Sequence, residues 1–214
     1  MTTDEIDKKK YVSREVELEL FREMLKDRFG DKRIMFILGD GGIGKTYLIR
    51  ELLEEAKKQG YLAPDEPIDF FSTDYRHIDG IQSRLKGIVD NLAASKGKTS
   101  PFADWISGET DTSEKFYEYL KKFCGENPLV LAFDTFENLD KVASDWLFKG
   151  EPDGLQSPGL ICVMAGRVEE KADIDDYRNN PLVKEAYISG FTHEQTEDFY
   201  QKIVEDNKVR NNET

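Results

Sequence analysis

Apolar positions along the chain follow two rhythms. Behind Ser13 as N-cap, Val16, Leu20, Phe21, Met24, Leu25 and Phe29 recur at helical spacing until Gly30, which predicts a first amphipathic helix. Ile34 to Leu38 is instead a short unbroken apolar run, the mark of a strand covered on both faces of a parallel sheet. A glycine-rich turn follows, then a helix facing inward through Leu48, Ile49, Leu52, Leu53 and Ala56 and ending near Gly60. The alternation repeats. Ile68 to Phe71 reads as a strand, Ile78 to Leu92 and Phe116 to Phe123 as helices, and Lys96 to Pro101 as a loop between them. Leu129 to Phe133 and Leu160 to Ala165 read as buried strands, separated by a helix carrying Leu139, Val142, Ala143, Trp146 and Leu147 and by the connection Gly150 to Gly159. Ala186 to Ile188 is the expected fifth strand.

Strands alternating with helices of this length predict crossover units, hence a three-layer α/β/α domain around a mainly parallel five-stranded sheet. The expected organisation is a polar arm over residues 1–10, the sheet domain over 11–191, and the start of a helical subdomain over 192–214. Thr192 and Gln195 have the spacing of a capping box that opens that last helix. A helix that has just left the sheet is expected to begin something longer.

Composition narrows the class. A chain of 214 residues, 38% hydrophobic and 34% charged, describes a globular protein with no apolar run of membrane-spanning length. The charged start, Met1 to Lys10, lacks the apolar segment of a secretory signal, so a cytoplasmic location is expected. A net charge of −13 opposes broad contact with a nucleic-acid backbone, which needs clustered cations. Cys124 and Cys162 stand among apolar residues without a CxxC pair and read as structural thiols.

Gly39-Asp40-Gly41-Gly42-Ile43-Gly44-Lys45-Thr46 has the spacing of a phosphate-binding loop, glycine, four residues, glycine, lysine and threonine. Phosphate oxygens need several backbone N–H groups turned inward, which glycines permit, and the helix behind the loop adds its positive end. Lys45 is expected to neutralise the β and γ phosphates, and Thr46 to take one position on magnesium. Asp134, at the carboxyl end of Leu129 to Phe133, is the matching acidic metal ligand, with turn former as its bland alternative. Glu137 is the nearest carboxylate to orient an attacking water, or a negative charge in the first turn of the next helix. Arg167, after Gly166, either points at the γ-phosphate or is a surface arginine.

With these parts placed, the chain resembles the STAND class of AAA-like P-loop ATPases, which includes the NB-ARC and maltose-regulator types. Tyr11 to Leu18, with Val12 and Ser13-Arg14-Glu15, is similar to the family's leader, where glycine usually precedes Arg-Glu. Gly41 to Thr46 has the family's preferred spelling, Asp134-Thr135-Phe136-Glu137 is similar to a bacterial second-motif variant, and Ala165-Gly166-Arg167 and Ile188 to Thr192 sit where the family has its first sensor and helical subdomain. The resemblance implies that Val12 and Arg14 lie near adenine, Lys45 and Thr46 on phosphates and magnesium, Asp134 on the metal and Arg167 at the γ-phosphate. It implies ATP or ADP with magnesium as cofactors, and further domains of a longer parent or protein partners. The leading expectation is a nucleotide-dependent switch with weak or no hydrolysis alone.

Two other classes compete. A self-contained ATPase or phosphotransferase would use the same loop, but Arg76 and Arg84 make too small a basic lid for a kinase. An AAA loader of the origin-binding kind would engage DNA, against the acidic balance. His77 and His193 near helix starts read as solvent-facing or capping residues, and Asp173, Asp175 and Asp176 as a solvated acidic turn.

Overall fold

The computed structural model describes residues 14–27, 32–103, 113–149, 154–167, 180–193, 195–197 and 201. In β1 (Ile34–Leu38) every residue is buried, with Ile34, Phe36 and Leu38 against one helical layer and Met35 and Ile37 against the other. Successive side chains of a strand point to opposite faces, so a strand covered twice has no polar position. The same two-sided burial shapes β3 (Leu129–Asp134) and β4 (Leu160–Gly166). With β2 (Ile68–Asp69) and β5 (Val183–Tyr187) they form one parallel sheet in the order β2-β3-β4-β1-β5.

One face carries α1 (Glu15–Lys26) and α2 (Lys45–Lys58), through Phe21, Leu48, Leu52 and Ala56. The other carries α3 (Ile78–Ser95), α4 (Ser113–Glu126) and α5 (Lys141–Lys149), with an aromatic-rich core that includes Phe36, Phe70, Phe116, Phe133 and Phe148. This is the expected three-layer α/β/α arrangement.

Three boundaries differ from the sequence expectation. The fifth strand is Val183–Tyr187, not Ala186 to Ile188, because among the described residues it lies at the sheet edge, paired with β1. Its burial is interrupted, so a search for continuous apolar residues lands too late. The second strand stops at Asp69, where the carboxylate accepts the Phe71 N–H at 2.8 Å and turns the chain. Leu139 precedes the helix instead of belonging to it. A short 3₁₀ turn, Phe136–Asn138, intervenes, and Asp140 caps α5 by accepting the Ala143 N–H at 2.7 Å. At the first helix Arg14 holds the N-cap position; Ser13, expected there, lies outside the described residues, as do Phe29 and Gly30.

A polar clasp joins α1 to α2. Arg22 Nε lies 3.0 Å from Glu55 Oε1 and Arg22 Nη1 2.8 Å from Glu15 Oε1. The hydrogen bond from Arg22 holds the Glu55 carboxyl below its ordinary value of 4.5. A depressed folded value stabilises the protein above the unfolded value, and that contribution is lost as pH falls through the folded one. Thermal melting from about pH 5 down to about pH 3 is therefore expected to fall less steeply in Glu55→Gln than in the wild type.

Candidate nucleotide-binding site

The loop from Gly39 to Gly44 leaves the carboxyl end of β1 and enters α2, the position at which ligands of open α/β sheets collect. Two glycines are required by dihedral angle, Gly42 at φ 78° and Gly44 at φ 96°. Gly39 is required by space, since a Cβ there would stand 2.5 Å from the Ile188 carbonyl oxygen and 2.4 Å from Ile43 Cδ1. Its N–H donates to the Gly166 carbonyl, and the Ile188 N–H donates to Leu38, so the ends of β4 and β5 brace the start of the loop. No side chain caps α2 and its first turn holds no acidic residue. The positive end of the helix thus faces the loop without local compensation.

Lys45 Nζ folds over this loop and donates to the carbonyls of Gly39 at 2.8 Å and Asp40 at 2.7 Å. Burial pushes its pKa down, with Arg167 acting in the same direction and Glu137, Asp134 and Asp40 opposing. The same side chains that the sequence singled out therefore surround one ammonium group. Beside it the Thr46 hydroxyl donates to Asp134 Oδ2 at 2.5 Å, joining the first turn of α2 to the end of β3.

The sheet order explains how the remaining groups arrive. Because β4 lies between β1 and β3, the residue that follows it, Arg167, stands between the glycine loop and Asp134. Its guanidinium lies against Gly41, with Nη2 3.4 Å from where a Cβ on that glycine would be. Glu137 curls back from the 3₁₀ turn to meet it. Glu137 Oε1 is 3.4 Å from Arg167 Nε, and Oε2 accepts the Arg167 backbone N–H at 3.2 Å.

Arg14 reaches the opposite side of the loop. It donates to the Ser189 carbonyl at 2.8 Å and to the Ile43 carbonyl at 3.5 Å, and its guanidinium lies 5.0 Å from the Phe191 ring centroid. Gly39, Asp40, Gly41, Gly42, Ile43, Gly44, Lys45, Thr46, Asp134, Glu137, Arg167 and Arg14 thus come together, whereas Val12 lies outside the described residues.

Sequence reasoning passed over Asp69 and gave Thr135 no role beyond its place in the motif Asp134 to Glu137. Thr135 is the one non-glycine residue with positive φ among those described, at 56°. Such a conformation is costly for a β-branched side chain and collects at functional sites. Its N–H donates to Asp134 Oδ1 at 2.8 Å and its hydroxyl donates to Asp69. Asp69 pairs in register with Asp134, so two neighbouring strands each end in a carboxylate at this edge. The available signal was an acidic residue within a short strand, obscured because Phe70 and Phe71 extend the apolar run.

His77 and His193 are exposed and lie near Asp140 and Glu197, as expected of solvent-facing residues at helix starts. Cys124 and Cys162 are buried, and burial pushes the Cys162 thiol far above its ordinary range. Asp173, Asp175 and Asp176 lie outside the described residues.

A family model for an AAA ATPase domain matches residues 10–149, more than half of the chain. The chain belongs to the AAA ATPase domain family. This AAA domain is thus a nucleotide-binding domain of the ATPase kind, and its glycine loop is the P-loop. Its fold is similar to Cdc6p from Pyrobaculum aerophilum, with a TM-score of 0.59 at 18% identity over 90% of this chain and 50% of that one. The AAA domain here therefore spans half the length of that protein. A weaker likeness, TM-score 0.47 at 11% identity over 85% of this chain and 61% of that one, is to the Drosophila ORC bound to AT-rich DNA and Cdc6. Comparison with curated proteins finds no match. Among the described residues, no helix is long and apolar enough to cross a membrane.

Proposed function

We propose that this AAA domain binds ATP and ADP with magnesium and serves as the nucleotide-dependent switch of a cytoplasmic regulatory protein of the STAND class, with weak or no hydrolysis alone. The observation that carries this reading is the convergence of Thr46 and Asp134 beside Lys45, with Arg167 over Gly41. A hydroxyl and a carboxylate offer hard oxygen donors that suit magnesium, which keeps its remaining positions for water and phosphate oxygens. Lys45 and the amides of the loop and of α2 would bind the phosphates, and Arg167 would contact the terminal one. Thr46 and Asp134 would hold magnesium, which would neutralise negative charge on the phosphates. Arg14 supports the STAND assignment because it ties the leader helix to the loop at Ile43 and to the chain after β5 at Ser189.

A switch requires ATP and ADP to favour different arrangements. The capping box expected at residue 192 is formed, with the Thr192 N–H donating to Gln195 Oε1 at 3.0 Å and the Gln195 N–H donating to Thr192 Oγ1 at 3.2 Å. It fits a helical subdomain starting there, whose further domains or partners would read the state of the site.

Magnesium-dependent binding tests this reading. ATP affinity measured by calorimetry is expected to fall at least tenfold when magnesium is chelated, and Asp134→Asn to remove most of that dependence. Steady-state turnover below about one per minute fits the switch, whereas faster turnover lost in Lys45→Ala makes the chain a self-sufficient ATPase. The second reading, a piece of an origin-binding AAA loader, fits a fold shared with Cdc6p. The net charge of −13 favours the switch, and salt-sensitive binding of duplex DNA by this chain would reverse that preference.

A further inference from the structure

We propose that Glu137 is a positioning residue that aims Arg167 at the terminal phosphate, rather than the group that activates water. The proposal rests on the nucleotide-site reading above and assigns one carboxylate within it. Both oxygens of Glu137 are engaged by the same residue, Oε1 by Arg167 Nε at 3.4 Å and Oε2 by the Arg167 backbone N–H at 3.2 Å. The carboxylate side chain is only 4% exposed, while Arg167 is 53% exposed, so the acid is the fixed partner and the guanidinium reaches outward. A base must present an oxygen to water, and this one presents both to an arginine.

The surroundings are shaped for that hold. Gly166 has no side chain, and a Cβ there would lie 3.2 Å from Glu137 Oε2 and 3.7 Å from Phe136 Cβ. Phe136, the neighbour of Glu137, is buried and packs edge-on against Phe36 and Phe148, which anchors the turn from below. The guanidinium gripped at Nε is left lying along Gly41, the middle of the P-loop. An arginine fixed in this way loses little freedom when a phosphate arrives, and that preorganisation is spent only on a nucleotide that has a third phosphate.

The test is the ratio of ADP to ATP dissociation constants, with magnesium, for the wild type, Glu137→Ala, Glu137→Gln, Arg167→Ala and the Glu137→Ala/Arg167→Ala pair. Glutamine keeps an oxygen acceptor for Arg167 but is useless as a base. The expected result is a preference for ATP that drops about tenfold in Glu137→Ala and in Arg167→Ala, drops less in Glu137→Gln, which keeps one of the two acceptors, and falls no further in the double variant. Preference retained in Glu137→Ala, lost in Glu137→Gln, or reduced additively in the double variant overturns the proposal. So does single-turnover hydrolysis that stops in Glu137→Gln while the binding ratio is unchanged, since that is the behaviour of a base. If Glu137→Ala does not fold, Glu137→Gln and Arg167→Ala decide alone. A wild type that binds neither nucleotide refutes the underlying site reading, an outcome distinct from all of these.

Discussion

Replacing Lys45 by alanine is expected to weaken ATP and ADP binding by at least a hundredfold, beyond the range of ordinary calorimetry, while leaving the fold intact. Lys45 carries the positive charge at the centre of the site, and charge-assisted bonds to phosphate each contribute roughly 1.5–3 kcal/mol. Among the described residues Arg14 does not replace it, because it donates to the Ile43 and Ser189 carbonyls. The cost to folding is small. Lys45 donates to the carbonyls of Gly39 and Asp40 at a partly exposed rim, where water can satisfy those acceptors once the ammonium is gone. Its burial also pushes its pKa down, so removing it relieves a desolvated charge. A melting temperature within a few degrees of wild type, with unchanged nucleotide affinity, would remove the P-loop assignment altogether.

The second large effect is expected at Phe136, where alanine should destabilise the protein by about 3–5 kcal/mol and degrade the site as well. Phe136 lies between the motif residues Asp134 and Glu137, yet its ring belongs to the core. It packs against Phe36 at 5.9 Å, Phe148 at 5.6 Å and Phe70 at 6.5 Å between centroids, all in edge-to-face arrangements. Such contacts add to plain burial. Losing the ring empties the space beneath the 3₁₀ turn that holds Thr135 at positive φ and Glu137 against Arg167. Chemical denaturation should report the stability loss, and any folded fraction should bind ATP with less preference over ADP. Phe136→Leu, which refills most of that volume, is expected to recover more than half of both losses. An alanine variant that melts like the wild type would show that the turn is held from elsewhere.

Much of this protein is legible in its sequence, for identifiable reasons. β1, β3 and β4 are buried on both faces, so their positions show as unbroken apolar runs, and Leu129 to Phe133 and Leu160 to Ala165 fall within a residue of the observed strands. The P-loop is legible because the spacing of its glycines, lysine and threonine is local, with Gly42 and Gly44 answering a backbone angle and Lys45 a charge. Asp134 could be placed because a strand end is local as well. The sequence pattern places the edge strand β5 late and makes β2 too long, since interrupted burial at the edge and a side-chain turn at Asp69 leave no continuous pattern to read.

What the tertiary structure decided is how separate segments meet. Residues 14, 43 and 189 form one contact across the chain, and no local signal in any of them names the other two. The insertion of β4 between β1 and β3 brings Arg167 over Gly41 and beside Glu137, which sits in the first turn of the 3₁₀ helix with its carboxylate against Arg167. Thr135 takes a left-handed conformation because Asp134 and Asp69 hold it from two strands at once. The sequence by itself therefore determined the doubly buried strands, the helices and the spacing of the phosphate loop, signals carried by neighbours along the chain. Only the parallel sheet, by ordering its strand ends side by side, decided which charges share the site.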